Sequence, residues 1–165
     1  MNARIGHGYD LHRLELRPPA GAGRPLILGG VSLPCERGPV SHSDGDALYH
    51  AVTDAILGAL AQPDIGRLFP DTDPRHESAD SEVFLVEAVR RCTEMGFTVA
   101  NLDATVILER PKIAEHVAAM RANIARVLGV AAESVNVKGK THERVDAVGE
   151  GRAVEVHAVV LLVPR

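Results

Sequence analysis

The chain has 165 residues, of which 45% are hydrophobic, 24% charged and 3% aromatic, with a formal net charge of −4. This size is typical of one domain, and the composition predicts a packed core rather than a disordered chain. Glu155 and His157 interrupt the longest apolar segment, so we expect no membrane-spanning helix. The acidic balance and the scarcity of aromatic side chains argue against nucleic-acid binding. The first residues lack the pattern of a leader peptide, and the only cysteines are Cys35 and Cys92. We therefore expect a single domain over 1–165 in the cytoplasm.

Hydrophobic periodicity predicts an α+β fold with one sheet and helices packed on one of its faces. The expected order is β-β-α-loop-α-β-α-β-β, over residues 5–10, 26–33, 43–60, 63–77, 78–96, 101–108, 111–128, 135–141 and 153–163. The second strand is expected to kink or bulge at the pair Gly29 and Gly30. Ser43 is expected to cap the first helix, and Pro111 to lie in the first turn of the third.

Asp10 and His12 are two residues apart at the expected end of the first strand, so their side chains project from the same face. His50 is a natural third partner, because it shares a polar stripe with Asp46 and Asp54 on an otherwise apolar helix. One oxygen and two nitrogen ligands with an open position are typical of catalytic zinc. The same set is the facial triad of a non-haem iron enzyme. On residue types alone, the alternative is that His50 is a core histidine bonded to a carbonyl.

Residues 43–46, Ser-Asp-Gly-Asp, have two interpretations. Ser43 and Asp46 together approximate a capping box, which needs no ligand. Alternatively, the free amides at a helix start bind a phosphate group. His42 directly precedes this segment and would point towards such an anion.

Three N-terminal motifs resemble the 2-C-methyl-D-erythritol 2,4-cyclodiphosphate synthase family of the non-mevalonate isoprenoid pathway. They are RIGHGYDLH at residues 4–12, HSDGD at 42–46 followed by His50, and DIGRLFPDTD at 64–73. The match runs in order over essentially the whole chain. It implies a single catalytic domain over 1–165 with this one activity.

The resemblance implies a phosphorus–oxygen lyase. Its substrate is 4-diphosphocytidyl-2-C-methyl-D-erythritol 2-phosphate, whose 2-phosphate attacks the β-phosphorus to give 2-C-methyl-D-erythritol 2,4-cyclodiphosphate and CMP. The family is a homotrimer with active sites between subunits, and it uses two divalent ions. An isoprenoid-diphosphate-binding trimer without catalysis is the alternative, beside the iron enzyme named above.

The resemblance also implies roles for individual residues. A zinc-type ion, zinc or manganese, would bind Asp10, His12 and His50, and a second ion, magnesium or manganese, would bind Glu143 and the diphosphate. His42 and Thr141 would stabilise the transition state. Substrate contacts would come from Asp10, Leu11, His12, His42, Ser43, Asp64, Ile65, Gly66, Phe69, Pro70, Asp71, Thr72, Asp73, Leu108, Glu109, Arg110, Pro111, Lys112, Ile113, Ala114, Lys140, Thr141, His142 and Glu143.

The C-terminal part departs from the family pattern. Lys140 stands where a threonine is usual, although a lysine can still bind phosphate as a point charge. Glu150 and Arg152 stand where the family has Arg and Glu, and Ala147 replaces an aromatic residue. In the family this stretch lines a cavity on the trimer axis that holds isoprenoid diphosphates.

Overall fold

A computed structural model describes residues 2–70, 72, 74 and 77–165. Its strands are β1 (Arg4–Leu16), β2 (Ile27–Leu28), β3 (Val31–Ser32), β4 (Arg37–Pro39), β5 (Phe97–Ile107), β6 (Val135–Lys140) and β7 (Ala153–Pro164). Its helices are α1 (Ala47–Ala59), α2 (Ile65–Leu68), α3 (Glu82–Glu94), α4 (Val117–Leu128) and α5 (Asp146–Gly149). None of the helices in the described residues combines the length and hydrophobicity needed to cross a membrane.

The main sheet has five strands in the order β4-β1-β7-β5-β6. All neighbours are antiparallel except β5 and β6, so the sheet is mixed, and the predicted α+β class is confirmed. One buried cluster joins the inward side chains of the sheet to α1, α3 and α4. On the other face, Ile5, Tyr9, Leu11 and Val159 are 73%, 48%, 46% and 44% exposed. That open apolar face is a surface on which a partner could pack.

The first strand is much longer than the predicted residues 5–10. It continues to Leu16, because residues 14–16 pair with β4 beyond the point where the pairing with β7 ends, at Arg13. Asp10 and His12 therefore lie in the middle of β1 rather than at its end. Their i, i+2 spacing still places both on one face, as predicted.

Helix α1 begins at Ala47 and not at Ser43, so the predicted serine cap is wrong. Asp46 is the N-cap, and its carboxylate accepts hydrogen bonds from the amides of Leu48 and Tyr49. The same carboxylate also accepts the amides of Gly29 and Gly30, at 2.9 and 2.7 Å. The Asp46 side chain thus stabilises the start of the helix and does not form the polar stripe predicted with His50 and Asp54.

Other boundaries also differ from the prediction. Residues 26–33 form the hairpin β2–β3 around Gly29 and Gly30, whose φ values of 57° and 70° suit a turn and not a bulge. Helix α4 begins at Val117 after a 3-10 turn (Ala114–His116), so Pro111 is outside it. The short elements β4 and α2 were not predicted.

Two glycines allow β1 to lie directly on the backbone of α1. A Cβ atom at Gly8 would be 1.8 Å from the carbonyl oxygen of Ala51, and one at Gly6 would be 1.8 Å from that of Ala55. The close approach brings Asp10 and His12 within reach of the helix. No larger residue fits here without moving the helix.

Gly8→Ala is expected to lower the free energy of unfolding by about 3 kcal/mol, because helix and strand must separate to admit the methyl group. Gly58→Ala is the matched control, since its Cβ would meet only the His7 carbonyl oxygen at 3.8 Å. As a helical position, it should gain about 0.5–1 kcal/mol. Urea unfolding of both variants measures the difference, and equal stabilities would contradict the packing described here.

Candidate active site

Three side chains from β1 and α1 meet at one point. Asp10 Oδ2 lies 3.0 Å from His12 Nε2 and 3.1 Å from His50 Nδ1. The two imidazole nitrogens are themselves 3.1 Å apart. The cluster predicted from the sequence is therefore assembled within one chain.

Charge and burial act against each other in this cluster. Burial raises the pKa of Asp10, but hydrogen bonds and positive charge from His12 and His50 outweigh it and hold the pKa well below its usual value. Burial lowers the pKa of His50, and its hydrogen bond to Asp10 and the nearby carboxylates raise it above the usual value overall. A proton and a metal ion thus compete for His50 Nδ1.

The donor set fits a divalent metal ion. Two ligands at 2.0–2.1 Å from a tetrahedral ion are about 3.3 Å apart, close to the separations in this cluster. Asp10, His12 and His50 are also the one group of potential ligands that converges in this way within the described residues. Three protein ligands leave a coordination position for substrate oxygen.

A cavity of about 320 Å³ opens beside the cluster. Several predicted residues share its wall, together with Val40, Ser41 and Phe84. They are His12, His42, Ser43, His50, Ile65, Gly66 and Phe69. Each of the three N-terminal motifs thus contributes at least one residue to the wall of this cavity.

The segment after α1 is held against the cavity by two carboxylates. Asp54 Oδ1 accepts the amide of Ile65 at 2.8 Å, and Asp64 caps α2 by accepting the amide of Arg67 at 2.9 Å. Asp54 lies one turn after His50 on α1, so the helix that supplies the ligand also positions this segment. Sequence reasoning gave Asp54 no such role.

Other residues predicted from the N-terminal motifs do not line this cavity in the part of the chain that the structure describes. The Leu11 side chain is 46% exposed on the open face of the sheet, opposite the cluster. Pro70 and Thr72 are exposed. Asp71 and Asp73 lie outside the described residues.

The predicted cytidine and second-metal residues surround another cavity, of about 470 Å³. Its wall includes Leu108, Lys112, Ile113, Ala114, Gly139, Lys140, Thr141 and Glu143. Thr141 Oγ1 donates a hydrogen bond of 2.8 Å to Glu143 Oε1. Glu143 has a φ of 51°, a left-handed conformation that is uncommon for a residue other than glycine.

The remaining predicted substrate contacts of this half face elsewhere. Glu109, Arg110 and Pro111 line a neighbouring cavity of about 830 Å³, whose wall also contains Lys112. His142 Nδ1 pairs with Asp146 Oδ2 at 2.9 Å. The side chain of His142 is thus tied to α5.

The two halves of the predicted site are far apart within one chain. Asp10 pairs with Val156, Val156 with Val106, and Val106 with Gly139, across the strands β1, β7, β5 and β6. Three strand spacings separate Asp10 from Gly139, which is about 14 Å. Among the described residues, the two cavities share no lining residue.

Ser81 contacts the cluster although sequence reasoning gave it no role. Its Oγ lies 2.8 Å from His50 Nε2, and it is fully buried at the start of α3. The only local signal was a serine before a helix, and that pattern ordinarily indicates a cap.

Comparison with known proteins then decides the family. The YgbB family model matches residues 3–163. The chain belongs to the YgbB family. The resemblance carried by the three N-terminal motifs is thereby confirmed.

Relatives of this YgbB chain include 2-C-methyl-D-erythritol 2,4-cyclodiphosphate synthases. The chloroplastic synthase of Catharanthus roseus is 54% identical over 162 residues, which cover 98% of this chain and 66% of the relative. The synthase of Paraburkholderia xenovorans (strain LB400) is 51% identical over 163 residues, 99% of each chain. The chain thus spans about two thirds of the plant relative and nearly all of the bacterial one.

A solved structure agrees with these matches. It is IspF of Plasmodium falciparum in a CDP complex, with a TM-score of 0.86 and 38% identity. The alignment covers 99% of this chain and 97% of that one. At this identity, the similarity extends beyond the fold to the family.

Proposed function

We propose that this chain converts 4-diphosphocytidyl-2-C-methyl-D-erythritol 2-phosphate into 2-C-methyl-D-erythritol 2,4-cyclodiphosphate and CMP. The observation that carries the proposal is the convergence of Asp10, His12 and His50 beside a cavity that His42 and Ser43 line. The YgbB family match and the named synthases at about half identity support the same reaction.

The reaction balances without water. An oxygen of the 2-phosphate forms a bond to the β-phosphorus, and the bond from that phosphorus to the bridging oxygen breaks. The electron pair leaves with the α-phosphate as CMP. Because an anion attacks an anion, the site must hold the two groups in line and neutralise their charge.

The chain's residues divide this work between them. Asp10, His12 and His50 would hold one divalent ion and Glu143 would hold a second, and such ions would supply positive charge to the diphosphate. His42 and Ser43 bind the 2-phosphate side, with His42 offering a hydrogen bond to the charged transition state. Ile65 and Gly66, in the wall of the same cavity, hold the sugar hydroxyls, together with the neighbouring Asp64.

The second cavity receives the leaving group. Its apolar wall of Leu108, Ile113 and Ala114 suits the cytosine ring, and Lys112 and Lys140 supply positive charge for phosphate oxygens. Thr141 donates to Glu143 here, so its hydroxyl already faces the proposed position of the second ion. Thr141 would transfer this hydrogen bond to the diphosphate when substrate binds.

We further infer a homotrimer in which each site is shared between neighbouring subunits. Two ions acting on one phosphoryl group are about 3.5–4 Å apart in two-metal sites, far less than the three strand spacings, about 14 Å, that separate Asp10 from Gly139 within one chain. A neighbouring copy can bring its Glu143 half beside the Asp10 cluster. The open apolar face around Ile5, Tyr9 and Val159 offers the surface for that contact.

Two further proposals concern the domain organisation and the cellular compartment. We propose one catalytic domain over 1–165 with this single activity, supported by the continuous core and the family match over 3–163. Cys35 and Cys92 are both free thiols, which favours a reducing, cytoplasmic location.

The direct test is CMP release. The purified chain is incubated with the cytidylyl substrate and Zn²⁺ plus Mg²⁺, and CMP is followed by chromatography. We expect turnover with both ions and none after chelation. Absence of CMP from metal-loaded protein would contradict the proposed function.

Glu143→Gln separates the two proposed ions. It should reduce CMP release roughly a hundredfold, since it weakens the binding of an ion that stabilises the transition state by several kcal/mol. Zinc binding by the Asp10 cluster should stay within about twofold of the parental affinity. Glu133→Gln, at the exposed 3-10 turn before β6, is the control and should leave both quantities unchanged. Loss of zinc from Glu143→Gln would contradict the two-ion scheme.

A further inference from the structure

Ser81 occupies the N-cap position of α3 but does not cap it. Its hydroxyl makes no capping bond, although serine is among the preferred residues for that role. The Glu82 amide is instead bonded by Asp80 Oδ1 at 2.9 Å. When a buried serine at a helix start does not cap the helix, its hydroxyl is expected to have a partner elsewhere in the fold.

The Ser81 hydroxyl has such partners. Its oxygen lies 2.8 Å from His50 Nε2, and the hydroxyl donates a hydrogen bond to Asp44 Oδ1. Asp44 is fixed in turn, because its Oδ2 accepts the Ser81 amide at 3.2 Å and its own amide donates to the Ala79 carbonyl at 3.0 Å. A chain of contacts thus runs from Asp44 through Ser81 to His50.

The direction of these bonds follows from counting hydrogens. A carboxylate only accepts, and a hydroxyl has a single hydrogen to donate. The Ser81 hydrogen goes to Asp44, so Ser81 can meet His50 Nε2 only as an acceptor. His50 Nε2 must therefore carry the hydrogen, which leaves Nδ1 as the nitrogen that faces Asp10 and His12.

Ser43 is a weaker candidate for the same task. Its Oγ is 3.3 Å from His50 Nε2 and already accepts the Gly45 amide at 3.2 Å. It also lines the cavity, where a substrate would compete for it. Ser81 is fully buried and does not line the cavity, so a substrate would not compete for it.

We propose that Ser81, oriented by Asp44, is a positioning residue that fixes the tautomer and ring orientation of His50 for metal binding. The inference rests on the proposed metal centre, and it assigns the partner of the ring nitrogen that does not bind the ion. Partners of this kind typically change metal affinity 10- to 100-fold.

The test uses the full-length protein, stripped with a chelator and titrated with Zn²⁺ against a chromophoric competitor. Ser81→Ala should weaken zinc binding by about 10- to 100-fold. Asp44→Asn should give a smaller loss, because Ser81 keeps a neutral acceptor. Thr53→Val is the matched control: it removes a buried hydroxyl from α1 that bonds to the Tyr49 carbonyl and not to His50, so zinc affinity should not change.

A proton signal separates positioning from general damage to the fold. In the zinc-loaded parent, the His50 Nε2 hydrogen should give a slowly exchanging NMR resonance, and in Ser81→Ala this resonance should exchange rapidly. If Ser81→Ala does not fold, Asp44→Asn decides by the same two measurements. If the folded variants keep the parental zinc affinity and a slowly exchanging hydrogen, the proposed role of Ser81 is wrong and the metal centre still stands. If the parent itself binds no zinc, the proposed metal centre is wrong.

Discussion

Replacing His50 with alanine is expected to abolish zinc binding and to lower CMP release roughly a thousandfold, since the ion contributes several kcal/mol to the transition state. Asp10 and His12 would remain as only two of the three ligands that the proposed site needs. The packing of α1 depends on other side chains, among them Leu48, Ala51 and Ile56, which are fully buried. The variant should therefore remain folded and assembled.

The control removes an imidazole from outside the cluster. His116→Ala, in the turn before α4, should retain both zinc and activity, because His116 belongs to neither cavity nor the ligand set. Zinc content is measured by atomic absorption and assembly by light scattering. Stoichiometric zinc in folded His50→Ala would refute the assignment of Asp10, His12 and His50 as the ligands.

Mixing two inactive variants is expected to restore activity. His50→Ala destroys the metal half of a site, and Glu143→Ala destroys the other half. If neighbouring subunits supply the halves, random cyclic assembly of equal amounts leaves about one site in four with both halves intact. Co-refolded mixtures should then show about a quarter of the parental activity.

Each variant refolded alone sets the background, which should be near zero. Mass spectrometry under native conditions verifies that mixed trimers have formed. If such trimers are as inactive as the two separate variants, both halves come from one chain. The proposed sharing of each site between neighbouring subunits would then be wrong.

Local pattern predicted elements whose stability depends on neighbours in sequence. The alternation of Val154, Val156, Ala158 and Val160 correctly placed them on the buried face of β7, and Gly96 follows α3 with a φ of 78° as expected. Elements fixed by distant partners were missed. The start of α1 is one case, because the amides of the 29–30 turn select Asp46 over Ser43 as the cap.

The site shows the same division. Asp10, His12 and His50 were identified because strand and helix spacing constrain where their side chains project, and because long motifs carried a family resemblance. Ser81 was missed, because its partner His50 is 31 positions away and its sequence context resembles an ordinary cap. The distance between the Asp10 cluster and Glu143 depends on the strand order, which no local pattern contains.

The most direct test of the proposed reaction is the fate of the oxygen atoms during turnover. The metal-loaded chain is incubated with the cytidylyl substrate in ¹⁸O-labelled water, and products are analysed by ³¹P NMR and mass spectrometry. We expect a cyclic diphosphate and CMP in equal amounts, neither containing ¹⁸O, because the 2-phosphate and not water attacks the β-phosphorus. Incorporation of ¹⁸O with a linear bisphosphate as product would show hydrolysis and contradict the proposed reaction.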